Sequence, residues 1–341
     1  MLLLGAGTAT ATTPQGPRLA VIKTGAKPPG IHLVTIGPKG GRPVRLAGGG
    51  RRSRPLVDFF SALSWSADGE QGAFSGVVGF RNGDGAEPVN RLFIVRADGT
   101  GLRPIRGTEG ATAPVLSPDG RTLVFSRSID RPEPTAVAGK EWDEGFQGST
   151  LWTIDLATSA QRQLTPWWNG VSYTASSFTP DGSTLLASFE DGRLLNEPQP
   201  VTMNLDGSGR KPIFDDGWFP VYSPDGSKIA MSRRVEEYGD DPGEDLDLYV
   251  INADGTGLRR LTRTPGRPEL FPSWDPSGER LAYVRLPLVR SDDAPFGYGN
   301  ALMQINADGT CQTKVAFPRP TLFFVPSWQP GPGRGAGRIE C

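Results

Sequence analysis

Apolar residues along this chain recur at every second position over short stretches, and turn-forming residues bound each stretch. "RLAVIK", "TLVFSR", "TLLASF", "KIAMSR" and "RLAYVR" are examples. A period of two is the mark of a β-strand, whose side chains alternate between two faces. Helix-friendly stretches are scarce. The pattern predicts an all-β chain of many short strands.

The turns between strands repeat. Thr13-Pro14-Gln15-Gly16, Ser66-Ala67-Asp68-Gly69, Ser117-Pro118-Asp119-Gly120, Thr179-Pro180-Asp181-Gly182, Ser223-Pro224-Asp225-Gly226 and Asp275-Pro276-Ser277-Gly278 follow one another at intervals of 44 to 62 residues. Each residue has a physical task. Proline pre-sets φ, the Ser, Thr or Asp side chain bonds the local backbone, and glycine takes the positive φ. A strand follows each signal. Before the last five comes another strand, ending in a bulky residue: Trp65, Leu116, Phe178, Tyr222 or Trp274. A second hairpin, usually built on Asp-Gly, follows in most units, as in "RLFIVRADGTGLRPIR" and "DLYVINADGTGLRRLT". Asp-Gly between alternating runs is a strong hairpin signal.

Each unit is therefore a four-stranded antiparallel meander, and repeats of this period form propellers or arrays. The first unit lacks its opening strand. "TLFFVPSWQPGPG" (Thr321–Gly333) supplies an opening strand with no unit behind it. The predicted fold is a six-bladed β-propeller of four-stranded antiparallel blades. Its ring is closed by the C-terminal strand joining the first blade, which removes exposed sheet edges. The division is a leader or signal-peptide remnant over 1–12, the propeller over 13–330 and a tail over 331–341.

"FPVYSPDGSKIAMSR" with "LYVINADGTGLRRLT" resembles the repeat of the TolB-type, WD-like propeller family, over almost the whole chain. The resemblance implies a propeller of the cell envelope that docks a partner. Oligogalacturonate lyases share a similar propeller, and that family depends on a histidine-rich metal site. This chain has one histidine among its 341 residues. His32 lies in the alternating strand "IHLVTI", a structural position. A multi-histidine zinc centre cannot be assembled from it, and no GxSxG nucleophile elbow occurs. No catalytic residue is assigned.

Net charge is -1 with both signs interspersed, so there is no one-sided basic field for nucleic acid. No apolar run is long enough to span a bilayer. The opening "MLLLGAGTATATTPQG" resembles the end of a secretory signal, with Ala9-Thr10-Ala11 as a cleavage-like site. Export is expected, to the periplasm, the cell envelope or the outside. Cys311 and Cys341 are the two cysteines. Cys311 follows the last Asp-Gly turn, and the closing strand exits on the same face in the neighbouring blade. A Cys311–Cys341 bridge would staple the tail across the closure; the alternative is two unpaired thiols.

Connectivity divides the loops between two faces. Turns joining strands one to two and three to four share one face and are tight. The long insertions, Val77–Arg91, Ser128–Thr150, Arg233–Asp247 and Leu286–Asn300, fall on the other. That face is the expected binding surface. Candidate ligand-binding residues there are Trp142, the adjacent Trp167 and Trp168, the acidic-loop residues Glu236, Glu237, Tyr238, Asp240 and Asp241, and Asp292 with Asp293. The tryptophans offer a platform for a sugar or peptide, or they pack between blades. The acidic loop lacks EF-hand spacing, so calcium is a weak reading and no cofactor is expected. The expected function is a monomeric binding or scaffold module for a protein, peptide or glycan of the envelope. The rival is a carbohydrate-active enzyme, a glycoside hydrolase or lyase using rim carboxylates and Trp platforms.

Overall fold

The computed structural model describes residues 16–26, 29–48, 63–78, 89–128, 148–168, 170–192, 197–235, 246–287, 300–315, 323–331 and 335–341. They form six four-stranded antiparallel sheets. Blade one holds β1 (Leu19–Ala26), β2 (Pro29–Gly37) and β3 (Gly40–Gly48). Blade two holds β4 (Ser64–Trp65), β5 (Gln71–Val78), β6 (Val89–Arg96) and β7 (Arg103–Pro104). Blade three holds β8 (Ala111–Leu116), β9 (Thr122–Ser128), β10 (Ser149–Asp155) and β11 (Gln161–Gln163). Blade four holds β12 (Val171–Phe178), β13 (Thr184–Asp191), β14 (Gln199–Asn204) and β15 (Lys211–Pro212). Blade five holds β16 (Trp218–Tyr222), β17 (Lys228–Arg234), β18 (Leu246–Asn252) and β19 (Arg259–Arg260). Blade six holds β20 (Glu269–Trp274), β21 (Arg280–Arg285), β22 (Ala301–Asn306) and β23 (Thr313–Lys314). The last strand, β24 (Phe323–Trp328), pairs antiparallel with β1 and completes blade one, as the repeat predicts.

The apolar residues sort into six clusters, one at each seam between neighbouring blades. Strand β6 shows why. Phe93 and Val95 pack toward blade one, while Leu92 and Ile94 pack toward blade three. A strand buried on both faces reads as a continuous apolar run, here "LFIV". The bulky residues that end the first strands are buried in these seams: Trp65, Leu116, Phe178, Tyr222, Trp274 and Trp328 are each at most 8% exposed. Tyr222 packs on Leu186 of blade four and on Ile229 and Met231 of its own blade.

The seams also carry hydrogen bonds. Serines of one first strand accept from the backbone of the next: Leu116 N to Ser64 Oγ at 2.8 Å, Tyr222 N to Ser177 Oγ at 3.0 Å, and Trp328 N to Ser273 Oγ at 3.1 Å. The last bond joins blades six and one across the closure. Gln304 Nε2 donates to Pro38 O at 2.8 Å over the same seam.

The tail crosses that closure on the tight-turn face. Ala336 N donates to Asp275 Oδ2 at 2.6 Å, and Asn306 exchanges two bonds with the backbone of Ile339. Gly335 lies so close that a Cβ would stand 2.9 Å from Ser277 Cβ. Cys341 is disulfide-bonded to Cys311, with the Cα atoms 5.3 Å apart.

Candidate functional site

The tight turns are structural. In the turn between β16 and β17 of blade five, Ser223 Oγ donates to Asp225 Oδ1 at 2.6 Å, Ser227 N donates to the same oxygen at 3.0 Å, and Lys228 N donates to Ser223 Oγ at 2.9 Å. The Ser223 hydroxyl first, then the Ser227 amide, hold the Asp225 carboxyl down to about 2. The same bonds recur at Asp119 and Asp181. These aspartates shape turns.

Around the axis the turns touch each other. A Cβ on Gly226 would meet Pro180 Cδ at 2.8 Å, and one on Gly182 would meet Pro118 Cδ at 3.3 Å. Each glycine thus makes room for the proline of the preceding blade, beyond supplying the positive φ its turn requires.

Inside this ring lies a cavity of about 1030 Å³, lined by the first strands of all six blades. It is the central channel. Four of its walls share a dipeptide: Ala113-Pro114, Phe219-Pro220, Phe271-Pro272 and Val325-Pro326. The residue before each proline has a positive φ, between 44° and 58°. Pairing registers shift at the same places, so each is a β-bulge. Proline costs no ladder bond here, because a first strand has no neighbour on its channel side. A positive φ is a strain of about 1–3 kcal/mol for residues such as Phe and Val. The bulge projects their side chains into the channel. Phe219 and Phe271 meet with ring centroids 4.2 Å apart, and Phe219 remains 38% exposed.

Blade four differs. Its first strand, "VSYTASSF", carries no proline and alternates: Val171, Tyr173 and Ala175 are buried, whereas Ser172, Thr174 and Ser176 line the channel. Ser188, Glu190 and Glu197 extend this wall toward the face of the strand two-to-three loops. Glu197 is paired with Arg234 at 2.7 Å. The channel is therefore two-sided, with an apolar arc on blades five, six and one and a polar wall on blade four.

A second cavity, about 430 Å³, sits on the seam between blades three and four. Trp168, in the link between these blades, edges it and is 56% exposed. Its carbonyl accepts from Val171 N at 3.1 Å. The floor is Tyr173 and Phe189, tilted rings 5.1 Å apart. Arg210 donates to the Tyr173 hydroxyl at 2.8 Å and stacks 4.4 Å over the Phe189 ring. Burial pushes the Tyr173 hydroxyl up, outweighing Arg210. Asp191, 6% exposed, closes the wall.

Of the residues the sequence singles out, Trp167 is half-buried and Trp168 edges the seam cavity. Trp142, Glu236, Glu237, Tyr238, Asp240, Asp241, Asp292 and Asp293 lie outside the described residues. His32 is buried in β2, outside both cavities. Among the described residues no group of three or more His, Cys, Asp or Glu is placed to hold a metal ion, and no helix is long and apolar enough to cross a membrane. The sequence reading missed the X-Pro collar. Its signal was available: a proline recurring at one position inside an otherwise strand-like stretch marks a bulge or edge.

No protein-family model matches the chain. By sequence, it is 35% identical over 98 residues to the Tol-Pal system protein TolB of Anaeromyxobacter, covering 28% of this chain and 20% of that protein. An uncharacterized protein of Agrobacterium fabrum is 26% identical over 177 residues, or 50% of this chain and 53% of its own length. The chain thus spans about half, or less, of these curated relatives. Among solved structures, TolB from Acinetobacter baumannii superposes with a TM-score of 0.66 at 18% identity, over 92% of this chain and 67% of that one. This fold is a TolB-type propeller. A TolB-like structure from Agrobacterium tumefaciens covers 89% of its own length and 88% of this chain, with a TM-score of 0.57 at 16% identity. An oligogalacturonate lyase from Vibrio parahaemolyticus reaches 0.50 at 15% identity, over 90% of this chain and 75% of that one.

Proposed function

We propose that this TolB-type propeller is a monomeric, non-catalytic binding or scaffold module of the cell envelope, and that its partner, a protein or peptide, seats in the central channel. One observation carries the reading. The channel presents Phe219, an exposed aromatic, beside Phe271 and Val325, on backbone that accepts strain to place them. An apolar arc opposite a serine- and threonine-rich wall suits an amphipathic segment: apolar groups bury on the arc, and backbone polar groups bond to Ser172, Thr174 and Ser176. The TolB relatives, named for the Tol-Pal system, support an envelope role. The Cys311–Cys341 bridge suits an oxidising compartment. No metal or cofactor enters the reading.

The test is a displayed random-peptide library selected against the immobilised protein. Selected peptides are expected to be apolar-rich and to bind the Phe219→Asp/Phe271→Asp variant at least about tenfold more weakly, a change of ~1.4 kcal/mol. Affinity unchanged in that variant would contradict the channel seat. Turnover of a galacturonan or neutral-glycan panel, lost in Glu190→Gln, would favour the glycan-cleaving alternative.

A further inference from the structure

The seam cavity between blades three and four has no part in the channel, and two observations mark it out. Among the described residues, the exposed large hydrophobic side chains are Trp168 and Phe219. Phe219 belongs to the channel, and Trp168 edges the seam cavity. The second observation is the mixture of chemistry around Trp168. An apolar floor of Tyr173, Phe189 and Met203 is ringed by directional polar groups: the Arg210 guanidinium, the Tyr173 hydroxyl, the Asp191 carboxyl and Thr165.

The chemistry narrows the ligand. A cation is disfavoured, because Arg210 already takes the face of Phe189 at 4.4 Å and lies 6.0 Å from the Tyr173 ring centroid. A second positive charge would meet the first at close range. A purely apolar ligand would leave the Arg210 N–H donors not used by Tyr173 without water. An anion would gain from Arg210 and lose to Asp191. A neutral ring with one apolar face and several hydroxyls fits every wall. Its C–H face lies on Trp168. Its hydroxyls accept from the guanidinium, which keeps four of its five N–H donors after serving Tyr173, and donate toward the carboxyl side of the pocket. The volume, about 430 Å³, is within the range of small-ligand sites.

The platform is also held in place. Val171 N ties down the Trp168 carbonyl, and Gly148 approaches so closely that a Cβ there would stand 2.8 Å from that same oxygen. Arg162 of blade three donates to Leu205 O at 2.6 Å, which fixes the 205–207 turn of blade four beside the pocket. Both sides of the seam are thus anchored to each other.

We infer that this seam pocket binds a neutral pyranose unit of a glycan, stacked on Trp168 and hydrogen-bonded by Arg210. The site is independent of the channel, and the two fail separately.

Saturation-transfer NMR and calorimetry with cellobiose, maltose, lactose and chitobiose test it. At least one disaccharide is expected to bind the unmodified protein. Trp168→Ala, an exposed position whose loss leaves the seam core intact, is expected to weaken that binding at least tenfold. Arg210→Lys keeps the charge but loses the planar fork, and is expected to weaken it severalfold. Phe219→Asp/Phe271→Asp is expected to leave it unchanged. The inference is overturned if none of the four sugars binds, if binding survives Trp168→Ala, or if Trp168 proves to be the seat of a peptide and not of a sugar.

Discussion

At the scale of single residues, glycines held at positive φ do two separable things. Gly226 and Gly110 share a φ of 72°. Around Gly110 a Cβ would meet nothing within 4 Å, whereas at Gly226 it would meet Pro180 Cδ at 2.8 Å. Alanine at either position incurs the left-handed backbone penalty, about 1–2 kcal/mol. Only at Gly226 must the neighbouring turn also move. Gly226→Ala is therefore expected to lower the urea midpoint clearly more than Gly110→Ala, by about 1 kcal/mol or more in stability. Equal losses would show that the glycine-to-proline contacts around the axis carry no energy. Cys311 makes the converse point. It stands where the other Asp-Gly hairpins carry Gly101, Gly209 and Gly257, and it keeps their positive φ at 54°. A non-glycine residue at a glycine position signals a requirement for its side chain, and here that side chain is bonded to Cys341.

At the scale of strands and seams, the seam between blades five and six joins two buried carboxylates to two arginines. Glu269 Oε1 accepts from Arg285 Nε at 2.9 Å and Nη2 at 2.7 Å, and from Thr264 Oγ1 at 3.0 Å. Asp247 Oδ2 accepts from Arg260 Nε at 2.7 Å. Burial pushes the Glu269 carboxyl up, and the arginine only partly offsets it. Removing one partner of a buried pair leaves the other stranded, at a cost of about 3–5 kcal/mol. Arg285→Ala is expected to show such a loss at pH 7. A carboxyl whose pKa is raised in the folded protein destabilises it above that raised value, and the penalty fades as pH falls through it toward the unfolded value of about 4.3. The Arg285→Ala deficit should therefore shrink between neutral pH and pH 5, and Arg285→Ala/Glu269→Gln should recover part of it at pH 7. A deficit independent of pH and unrelieved by Glu269→Gln would mean that lost packing, not the stranded carboxylate, is responsible.

Strand order, hairpins and the closing strand were legible because each rests on local chemistry: Pro and Gly in the turns, period-two alternation, and the surplus strand ending at Trp328. The bulges were less visible. Phe219-Pro220 reads locally as a poor strand, and only its recurrence as Phe271-Pro272 and Val325-Pro326 gives it meaning. Of the seam pocket, the sequence showed only Trp168, as a candidate platform, and not the walls around it. Trp168 is a link residue, Tyr173 and Phe189 belong to different strands, and Arg210 follows a later hairpin. Nothing in their spacing brings them together; the blade does.

At the scale of the whole molecule, the ring is closed by backbone pairing and then fastened. β24 pairs with β1, Trp328 N reaches Ser273, the tail bonds to Asp275 and Asn306, and the disulfide ends the path on the outer turn of blade six. The bridge spans a sequence separation of 30. A loop of that size contributes about 2–4 kcal/mol, chiefly by restricting the unfolded chain. Cys341→Ser is expected to lower the thermal midpoint relative to the oxidised protein, and reductant is expected to lower the unmodified protein to the same value. Recovery of both cysteines as free thiols in non-reducing peptide mapping would remove the fastening.

Function follows from the same geometry. Six apolar seams pack the blades against one another, and the first strands line a channel between them. Amide hydrogen exchange, with a library-selected peptide at saturation, measures directly whether that channel is the binding seat. A peptide seated in the channel is expected to bring new protection in β8, β12, β16, β20 and β24, centred on the Phe219-Pro220 and Phe271-Pro272 segments and absent from the Phe219→Asp/Phe271→Asp variant. Protection confined to the outer strands β7, β11, β15, β19 and β23, with these channel segments unchanged, would contradict it.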